Sequence, residues 1–301
     1  MNVFVTGGAG FIGSHICQAL LVEGHAVTVY DNLVTGHAEN VPEGVQLIEA
    51  DIRDLGDLQT AMHNHDAVIH LAAQALVPES VRNPQKTFDV NIGGGYNVLV
   101  AMKELGIKKL IYSSTAAVYG IQEKMPIKED VEKHPINPYG ASKLALEHLA
   151  HAYHASYGFD VTIFRYFNPF GPGELHDPET HAIPNFMKAI RDDKPIPLYW
   201  NGEQIRDFFY VKDLAEVHVK ALTLNGFQDY NVGSGTGITI SELVQTIFKV
   251  TGKKVAIKDL GKRSGDPPAL LADISKAKKE LGWKPTNLEK ALSATWEDFN
   301  N

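Results

Sequence analysis

Residues 2–24 read NVFVTGGAGFIGSHICQALLVEG, which is a short apolar run, a glycine-rich turn and an apolar helical pattern. The run NVFVT predicts a strand, and FIGSHICQALLVEG predicts a helix that ends at a glycine. Glycine lacks a Cβ, so the turn between them can be tight and its backbone can approach a ligand closely. The free N–H groups at the start of the helix favour an anion there, such as a pyrophosphate. This stretch therefore predicts the phosphate-binding turn of a doubly wound α/β fold.

The glycine spacing and the next strand together indicate which cofactor binds. Gly8, Gly10 and Gly13 satisfy GxGxxG, while Gly7, Gly10 and Gly13 satisfy GxxGxxG. A glycine pattern alone is weak evidence, but here it lies between a strand and a helix, as a dinucleotide site requires. Asp31 ends the next predicted strand, AVTVYD, 18 residues after Gly13. A carboxylate there can accept a hydrogen bond from a ribose 2′-hydroxyl and would repel a 2′-phosphate, so NAD is predicted over NADP.

Strand and helix patterns alternate through the first half of the chain. Further strands are predicted at residues 26–31, 45–51, 67–73, 109–114 and 161–167, and helices at 54–63, 79–105 and 139–157. Continuously apolar strands that alternate with helices indicate a parallel sheet covered on both faces. The predicted fold is therefore α/β, a doubly wound parallel (Rossmann) sheet with a smaller C-terminal α/β substrate lobe.

The character of the sequence changes after Phe167. The segment NPFGPGELHDPETHAIP is rich in Pro and Gly and predicts a long loop, a kind that is usually functional in compact domains. Shorter helices are predicted beyond it, at about 184–192, 212–225, 239–251, 273–281 and 287–299. A second lobe is expected from residue 168, and the strand-like DYNVG (229–233) is a candidate to return to the sheet.

Composition excludes several other classes of protein. The 301 residues carry 28 Lys and Arg against 36 Asp and Glu, a net charge of −8 without a basic tract, so neither nucleic acid nor a membrane surface is an expected partner. Cys17 is the single cysteine and permits no intramolecular disulfide. The N-terminus is unlike a signal peptide, and no apolar stretch approaches the roughly 18 residues of a membrane span. We therefore expect a cytoplasmic protein.

The stretch YGASKLALEH (139–148) places a phenol beside an ammonium. Tyr139 and Lys143 are four residues apart and lie on one face of a predicted helix. A lone YxxxK is usually an ordinary surface pair. Here SSTAAVYG (113–120) also brings hydroxyl groups, Thr115 among them, to the carboxyl end of a predicted strand, where doubly wound folds bind ligands. The combination predicts that Tyr139 is a general base whose pKa, ordinarily about 10, is lowered by Lys143 and a positively charged nicotinamide ring.

No metal site is predicted from the sequence. No CxxC group is present, and His148, His151 and His154 recur every third residue on one predicted helix. We interpret these three histidines as a polar or interface face.

The motifs resemble those of the extended short-chain dehydrogenase/reductases, most closely the UDP-galactose (UDP-glucose) 4-epimerase group. The matching segments occur in the family's order over nearly the whole chain: TGGAGFIGSH, YDNL, ADIRD, VIHLAA, SSTAAVYG, YGASK, RYFNPFGP, RDFFYVKDLA and RSGDPPALLADISKAKKELGWKP. The resemblance implies an NAD-binding Rossmann domain over 1–167, to which about 207–235 returns, and a nucleotide-sugar-binding lobe over 168–301. It also implies a UDP-sugar substrate and a homodimer formed through residues 79–105 and 139–157.

The resemblance also assigns site residues by position. The implied cofactor-binding residues are Gly7, Gly10, Phe11, Ile12, Gly13, Asp31, Asn32, Thr35, Gly36, Asp51, Ile52, Leu71, Ala72, Ala73, Asn91, Ser113, Tyr139, Lys143 and Tyr166. The implied catalytic residues are Tyr139, Lys143 and Thr115. The implied substrate-binding residues are Thr115, Asn168, Asn185, Arg206, Arg263, Asp266 and Leu270. By spacing alone, Asp51 is either an adenine contact or a turn cap, and the two arginines are either a fork for a diphosphate or members of surface ion pairs.

The residues after Thr115 favour one reaction within the family. Related dehydratases carry an Asp-Glu pair there, because elimination of water needs an additional acid and base, whereas this chain has Ala116 and Ala117. The chain is therefore expected to oxidise and reduce a single hydroxyl at C4, through a transient 4-keto sugar. A uronate 4-epimerase, a decarboxylase and a non-catalytic NAD-binding sensor remain alternatives, although a sensor has no need of Tyr139.

Two departures from the family concern the sugar pocket. Leu270 stands where a tyrosine gate against N-acetylated sugars is found in the epimerase group, and Ala75 stands where well-known members carry lysine. The resemblance therefore implies a permissive pocket that accepts both the plain and the N-acetylated sugar pair. The alternative is that Leu270 is an ordinary core residue.

Overall fold

The structure, a computed structural model, describes residues 1–174, 181–261 and 267–300. Its strands are β1 (Asn2–Thr6), β2 (Ala26–Asp31), β3 (Gln46–Glu49), β4 (Ala67–His70), β5 (Lys109–Thr115), β6 (Asp160–Tyr166), β7 (Asn168–Phe170), β8 (Ile196–Leu198), β9 (Ile205–Arg206), β10 (Phe208–Tyr210), β11 (Phe227–Val232), β12 (Ile238–Thr239) and β13 (Ile257–Asp259). Its α-helices are α1 (Phe11–Val22), α2 (Leu55–Ala61), α3 (Val77–Arg82), α4 (Pro84–Phe88), α5 (Gly95–Leu105), α6 (Pro138–Tyr157), α7 (Ala182–Arg191), α8 (Val211–Ala221), α9 (Ile240–Thr251), α10 (Ser275–Leu281) and α11 (Leu288–Phe299). None of these helices is both long and apolar enough to cross a membrane.

Within the described residues, seven strands form one sheet in the order β11-β6-β5-β4-β1-β2-β3. The pairings of β1 with β2 and β4, of β2 with β3, of β4 with β5 and of β5 with β6 are all parallel. The chain builds outward from β1 through β2 and β3, and then continues from β4 on the other side of β1. This is the predicted doubly wound topology, and ligands bind such sheets at the carboxyl ends of the strands, where the order reverses.

The central strands of this sheet are buried because helices cover it. All four residues of β4 and four of the five in β1 are buried. On one face, Val98, Leu99 and Met102 of α5 join the same apolar cluster as Phe4 of β1. Each large apolar side chain buried in this way contributes about 1.5–3 kcal/mol, which explains why the strand patterns are continuously apolar.

The single helix predicted over residues 79–105 is broken in the structure. Helix α3 ends at Arg82, α4 begins at Pro84, and a π-helical turn spans Asp89–Gly94 before α5. The break falls at Asn83 because the residue before a proline is disfavoured in the helical region, and its side chain instead caps α4. A Cβ on Gly94 would lie 2.6 Å from the Cδ1 atom of Ile52, so this glycine permits close packing.

The chain forms two compact units. Unit 1 comprises residues 1–121, 129–166 and 214–231, and unit 2 comprises 122–128, 167–213 and 232–301. Unit 1 contains the seven-stranded sheet, apart from the last residue of β11. In its described residues, unit 2 contains three two-stranded pairings, β7 with β10, β8 with β13 and β9 with β12, around a core to which α7, α9 and α11 contribute. The assignment of NAD to 1–167 and of the nucleotide sugar to 168–301 stays a prediction.

Candidate active site

The turn after β1 needs three of its four glycines for the fold itself, and a Cβ on Gly8 would overlap a valine of β2. Gly7 has a φ of +74°, and a Cβ there would lie 2.6 Å from the nitrogen of Ala72, just after β4. A Cβ on Gly13 would overlap the carbonyl oxygen of Gly7. Gly10 differs, because its Cβ would meet only that carbonyl, at 3.4 Å. Gly10 is thus the glycine whose missing side chain leaves room for something outside the chain.

The start of α1 is suited to an anion. Gly10 is its N-cap and makes no side-chain cap, and the first turn, from Phe11 onward, contains no acidic residue. The amide groups there and the positive end of the helix dipole are therefore directed at the space beside the glycine turn. This is the position at which a pyrophosphate binds in dinucleotide folds.

Asp31 is fixed beside the same turn at the end of β2. One carboxylate oxygen accepts a hydrogen bond from the Ala9 nitrogen at 3.0 Å, and the other accepts one from the Leu33 nitrogen at 3.0 Å. Burial raises the pKa of Asp31, while these two hydrogen bonds oppose the shift. The side chain therefore stands at the predicted ribose position with its orientation set by the backbone.

Asp51 is engaged by protein groups. Its carboxylate accepts hydrogen bonds from the Arg53 guanidinium at 2.9 and 2.7 Å and from the Asn32 amide at 2.9 Å. These contacts, above all those from Arg53, hold the pKa of Asp51 well below its usual range. The Arg53 nitrogen also donates to it at 2.9 Å, which supports the turn-cap alternative. The adenine contact stays a prediction.

The segment after β4 is anchored from two sides. The amide groups of Leu71 and Ala72 donate to the carbonyl oxygen of Thr6 at 3.0 and 3.1 Å. The Asn91 side chain donates to the Gln74 carbonyl at 3.1 Å and accepts from the Gln74 nitrogen at 2.7 Å. Asn91 therefore uses its amide to hold Gln74, directly after the predicted cofactor residues 71–73, in place.

The other predicted cofactor residues divide between core and surface. Ile52 is a buried member of the apolar core, and Phe11 is buried within α1. Ile12 is half-buried and Thr35 is exposed, while a Cβ on Gly36 would press against Ala9 at 3.0 Å.

The three predicted catalytic residues converge in unit 1. Thr115 is the last residue of β5, and its hydroxyl hydrogen-bonds the Tyr139 phenol in the first turn of α6. Lys143 follows one turn later, with its Nζ atom 3.4 Å from the Oγ atom of Ser113. A Cβ on Gly140 would lie 2.6 Å from the carbonyl oxygen of Ala117, so this glycine lets α6 begin against the segment that follows β5.

Three buried or half-buried phenols lie in this region, and Tyr139 is the easiest to ionise. Burial raises the pKa of Tyr112, Tyr139 and Tyr166, and negative charge on Tyr139 raises the other two further. For Tyr139 the hydrogen bond with Thr115 opposes the shift. The net direction for Tyr139 is nevertheless upward. The predicted lowering by Lys143 is therefore wrong for the protein groups alone, because burial is the dominant cause.

Lys143 is an amine held in a largely apolar place. It is 3% exposed, and its Nζ atom lies 4.6 Å from the centre of the Tyr112 ring. Burial lowers the pKa of Lys143 from 10.5 to about 7, while the charge of Glu147 opposes this shift. Its ammonium group therefore titrates close to neutral pH.

A buried ion pair supports α6 one turn beyond Lys143. Glu147 accepts from the Arg165 guanidinium at 2.8 and 2.9 Å and from the Ser114 hydroxyl at 2.5 Å. Arg165 also donates to Asp229 in β11 at 2.9 Å. Both members of the central pair are more than nine-tenths buried. The network thus fixes α6 to the sheet beside the catalytic residues.

Unit 2 contains a cavity of about 550 Å³. Three of the predicted substrate residues, Asn168, Asn185 and Arg206, line it together with aromatic side chains. The side-chain oxygens of Asn168 and Gln204 are buried there without a hydrogen-bond partner in the described part of the chain. An unsatisfied buried amide costs about 1–3 kcal/mol, so the cavity is built for a polar ligand.

Gln204 is not among the substrate residues that the motifs predict. It lies two residues before Arg206, so strand alternation places both side chains on one face, and that spacing was the available signal.

Next to Arg206, the buried Asp207 ties three segments together. Its carboxylate accepts from the nitrogen atoms of Ser234, Gly235 and Ala272 at 2.5, 3.1 and 3.0 Å.

The predicted residues Arg263 and Asp266 lie outside the described residues. Leu270 is half-buried, and its backbone nitrogen donates a hydrogen bond to the Ile205 carbonyl oxygen at 3.0 Å. It does not line the cavity, so its role as a gate stays a prediction.

The three histidines of α6 form no metal centre in the structure. His151 and His154 pack against Phe227, at ring-centre distances of 4.8 and 5.7 Å. In the described residues, no group of three or more His, Cys, Asp or Glu side chains is arranged to hold a metal ion.

Comparisons with known proteins extend over the whole chain. The model of the NAD dependent epimerase/dehydratase family matches residues 3–233. The chain is 38% identical over 325 residues to the UDP-glucose 4-epimerase of Lacticaseibacillus casei, with 100% of this chain and 97% of that protein covered. It is similar to the structure of UDP-N-acetylglucosamine 4-epimerase from Methanobrevibacter ruminantium M1 in complex with UDP-N-acetylmuramic acid, with 39% identity, a TM-score of 0.94 and coverage of 99% and 98%. It is also similar to the structure of the UDP-glucose 4-epimerase of Thermus thermophilus in complex with NAD, with 37% identity, a TM-score of 0.94 and coverage of 100% and 99%.

Proposed function

Because the chain belongs to the NAD-dependent epimerase/dehydratase family, we propose that it is an NAD-dependent epimerase that interconverts UDP-glucose and UDP-galactose at C4. The observation that carries the proposal is the cluster of Tyr139, Thr115 and Lys143 at the carboxyl end of β5. Ala116 and Ala117 follow in place of the acid–base pair that an elimination needs.

The residues of unit 1 fit NAD. Gly10 leaves the start of α1 open to a pyrophosphate, and Asp31 is fixed where a ribose hydroxyl would bind. Lys143 and Ser113 would hold the nicotinamide ribose. When bound, NAD would supply the hydride acceptor for oxidation at C4 and, in its reduced form, the hydride donor for the return step.

Tyr139 handles the proton of the reaction. Its phenolate takes the proton of the C4 hydroxyl, and the phenol returns it when the 4-keto sugar is reduced. The Thr115 hydroxyl stabilises the phenolate by a hydrogen bond. Since the protein groups leave the pKa of Tyr139 raised, the rest of that stabilisation must come from the positive charge that the cofactor adds.

The cavity of unit 2 is assigned to the UDP portion of the substrate. Arg206 supplies a guanidinium, which suits a diphosphate, and Asn168, Asn185 and Gln204 supply amide groups. Arg263 and Asp266 keep their predicted roles as further contacts. Anchoring the nucleotide allows the sugar to turn over without leaving the enzyme.

The test is a panel of UDP-, dTDP- and GDP-sugars, including UDP-uronates, with products separated by chromatography. We expect conversion between UDP-glucose and UDP-galactose. Decarboxylation or epimerisation of the uronates alone would favour the alternative enzymes. An NAD-bound protein without turnover on any sugar would favour the sensor.

The N-acetylated sugar pair is a second candidate substrate. It is favoured by the similarity to a UDP-N-acetylglucosamine 4-epimerase and by Leu270 in place of a tyrosine. The chain should accept both pairs, because a difference in pocket volume of one methylene is worth only about 1–3 kcal/mol. The kcat/KM of Leu270→Tyr should fall selectively for the N-acetylated pair. Equal loss on both pairs would show that Leu270 is not the gate.

The proposal includes a homodimer formed through residues 79–105 and 139–157. Val81, Phe88 and Tyr96 on the first segment and Tyr157 on the second are large apolar side chains left exposed, at 62, 38, 47 and 43%. Such a surface is typical of a protein interface. A monomeric mass in solution scattering at micromolar concentration would contradict it. A cytoplasmic location is also proposed, and cell fractionation would test it.

A further inference from the structure

Lys143 is linked to a buried histidine of α8 by a row of hydroxyl groups. Its Nζ atom lies 3.4 Å from the Oγ atom of Ser113. Ser113 stands on β5, which pairs with the β6 strand that carries Tyr166, and hydrogen bonding with Ser113 opposes the rise in the pKa of the Tyr166 phenol. The Tyr166 oxygen lies 2.7 Å from the Nε2 atom of His218, and the Nδ1 atom of His218 lies 2.8 Å from the Leu214 carbonyl oxygen. His218 is completely buried.

The two ends of the row determine the position of its protons. A carbonyl oxygen only accepts, so Nδ1 of His218 carries the hydrogen and donates it to Leu214. Burial lowers the pKa of His218 to about 4, so at neutral pH the ring is neutral and Nε2 accepts. Tyr166 must then donate to His218. Its oxygen is left to accept from Ser113, whose oxygen accepts from the Lys143 ammonium.

We propose that His218 is a positioning residue that holds Lys143 in place through Tyr166 and Ser113. By taking the Tyr166 hydrogen, His218 leaves the Ser113 oxygen free to accept from Lys143. A side chain without an acceptor at residue 218 would turn the Tyr166 hydrogen toward the Ser113 oxygen, and the Ser113 hydroxyl would then have to reorient, which would disturb its contact with Lys143. The inference rests on the proposed function because it takes Lys143 to hold the nicotinamide ribose beside Tyr139.

Three variants and one control separate this role from simple packing. His218→Phe keeps a ring beside Phe164, at a ring-centre distance of 4.8 Å in the native protein, but it cannot accept a hydrogen bond. His218→Gln retains an oxygen acceptor, and Tyr166→Phe removes the donor. The control is His65→Phe, because His65 makes the same two kinds of contact, at 3.1 Å to the Met62 carbonyl and 3.0 Å to a threonine hydroxyl, at the amino end of β4.

For epimerisation of UDP-glucose, kcat of His218→Phe should fall by about 10- to 100-fold, with KM changed less than about threefold. His218→Gln should recover most of this loss, and His65→Phe should keep kcat. The kcat of the double variant His218→Phe/Tyr166→Phe should be no lower than that of the slower single variant, because both substitutions interrupt the same row of hydrogen bonds. Additive losses in the double variant would overturn the proposal.

Two readouts do not depend on turnover. Nitrogen NMR of the histidine side chains should show His218 as the neutral, Nδ1-protonated form at pH 7, with a shift that moves in Tyr166→Phe. Calorimetry should show NAD binding weakened about 3- to 10-fold in His218→Phe and unchanged in His65→Phe. An Nε2-protonated His218, or unchanged NAD affinity in His218→Phe, would refute the proposal that His218 positions Lys143. If the wild type showed these two signatures without epimerising UDP-glucose, the row would stand and the proposed function would fall.

Discussion

Replacement of Lys143 by methionine should make the protein more stable and inactive. Methionine has a similar length and no charge, so the substitution removes the ammonium while it keeps most of the packing. The pKa of Lys143 is lowered from 10.5 to about 7 in the folded chain, which means that folding disfavours its charged form. Linkage converts this shift into a cost of about 4 kcal/mol at pH 7 and about 2 kcal/mol at pH 9.

The sign of the pH dependence distinguishes this cause from a general packing effect. Between pH 7 and 10.5 the unfolded chain binds more protons at Lys143 than the folded chain does, so wild-type stability rises with pH in that window. The advantage of Lys143→Met should therefore be about 2–4 kcal/mol at pH 7 and should shrink by about 2 kcal/mol at pH 9.

The assay is urea unfolding of wild type and Lys143→Met without added NAD, at pH 7 and pH 9. Lys284→Met removes an exposed lysine and serves as the control, with an expected change within about 0.5 kcal/mol at either pH. A less stable Lys143→Met, or an advantage that does not depend on pH, would refute the reasoning. Turnover should be lost in this variant because the proposed contact of Lys143 with the nicotinamide ribose is removed.

Four further predictions follow from the site and its support. Tyr139→Phe should lower kcat by about 10²–10⁴-fold and leave NAD binding by calorimetry nearly intact; near-normal turnover would exclude this base. Asp31→Ala should weaken NAD binding and reduce discrimination against NADP, and a wild type that prefers NADP would contradict the assignment. Glu147→Gln should lower the free energy of unfolding by about 2–4 kcal/mol, measured by thermal unfolding, because Arg165 loses its buried counter-ion. An unchanged melting temperature would show that the ion pair does not stabilise the protein. Gly95→Ala should lower the free energy of unfolding by about 1–3 kcal/mol because its Cβ would overlap a leucine of α6. A more stable variant would show that the higher helix propensity of alanine outweighs this overlap.

The doubly wound fold was predictable because its signal is local. Each of the first strands is a short apolar run, and each turn or helix between them has its own pattern, so residues 2–31 already show strand, glycine turn, helix and acid. The break at Asn83 was missed because the apolar pattern continues through it, although Pro84 was a visible signal. The π-helical turn has no comparable sequence signature.

The candidate site was predictable where function depends on a motif and not where it depends on burial. Tyr139, Lys143 and Thr115 stand in recognisable segments and do lie together. The upward shift in the pKa of Tyr139 was not predictable, because burial is a property of the folded chain. The same holds for the contact of Tyr166 with His218, which joins residues 52 positions apart.

The interleaved path of the chain has a consequence for its synthesis. Strand β11 lies beside β6 at the edge of the large sheet, and Asp229 within it meets Arg165. A nascent chain released as far as residue 167 would present β6 as a bare edge with unpaired backbone groups, and such edges recruit other chains into aggregates. The ribosome must deliver about 65 more residues, to the end of β11, before that edge is covered. At the usual elongation rate of about 5–20 residues per second, the unprotected interval lasts several seconds, a period in which a chaperone that shields strand edges would raise the yield of folded protein.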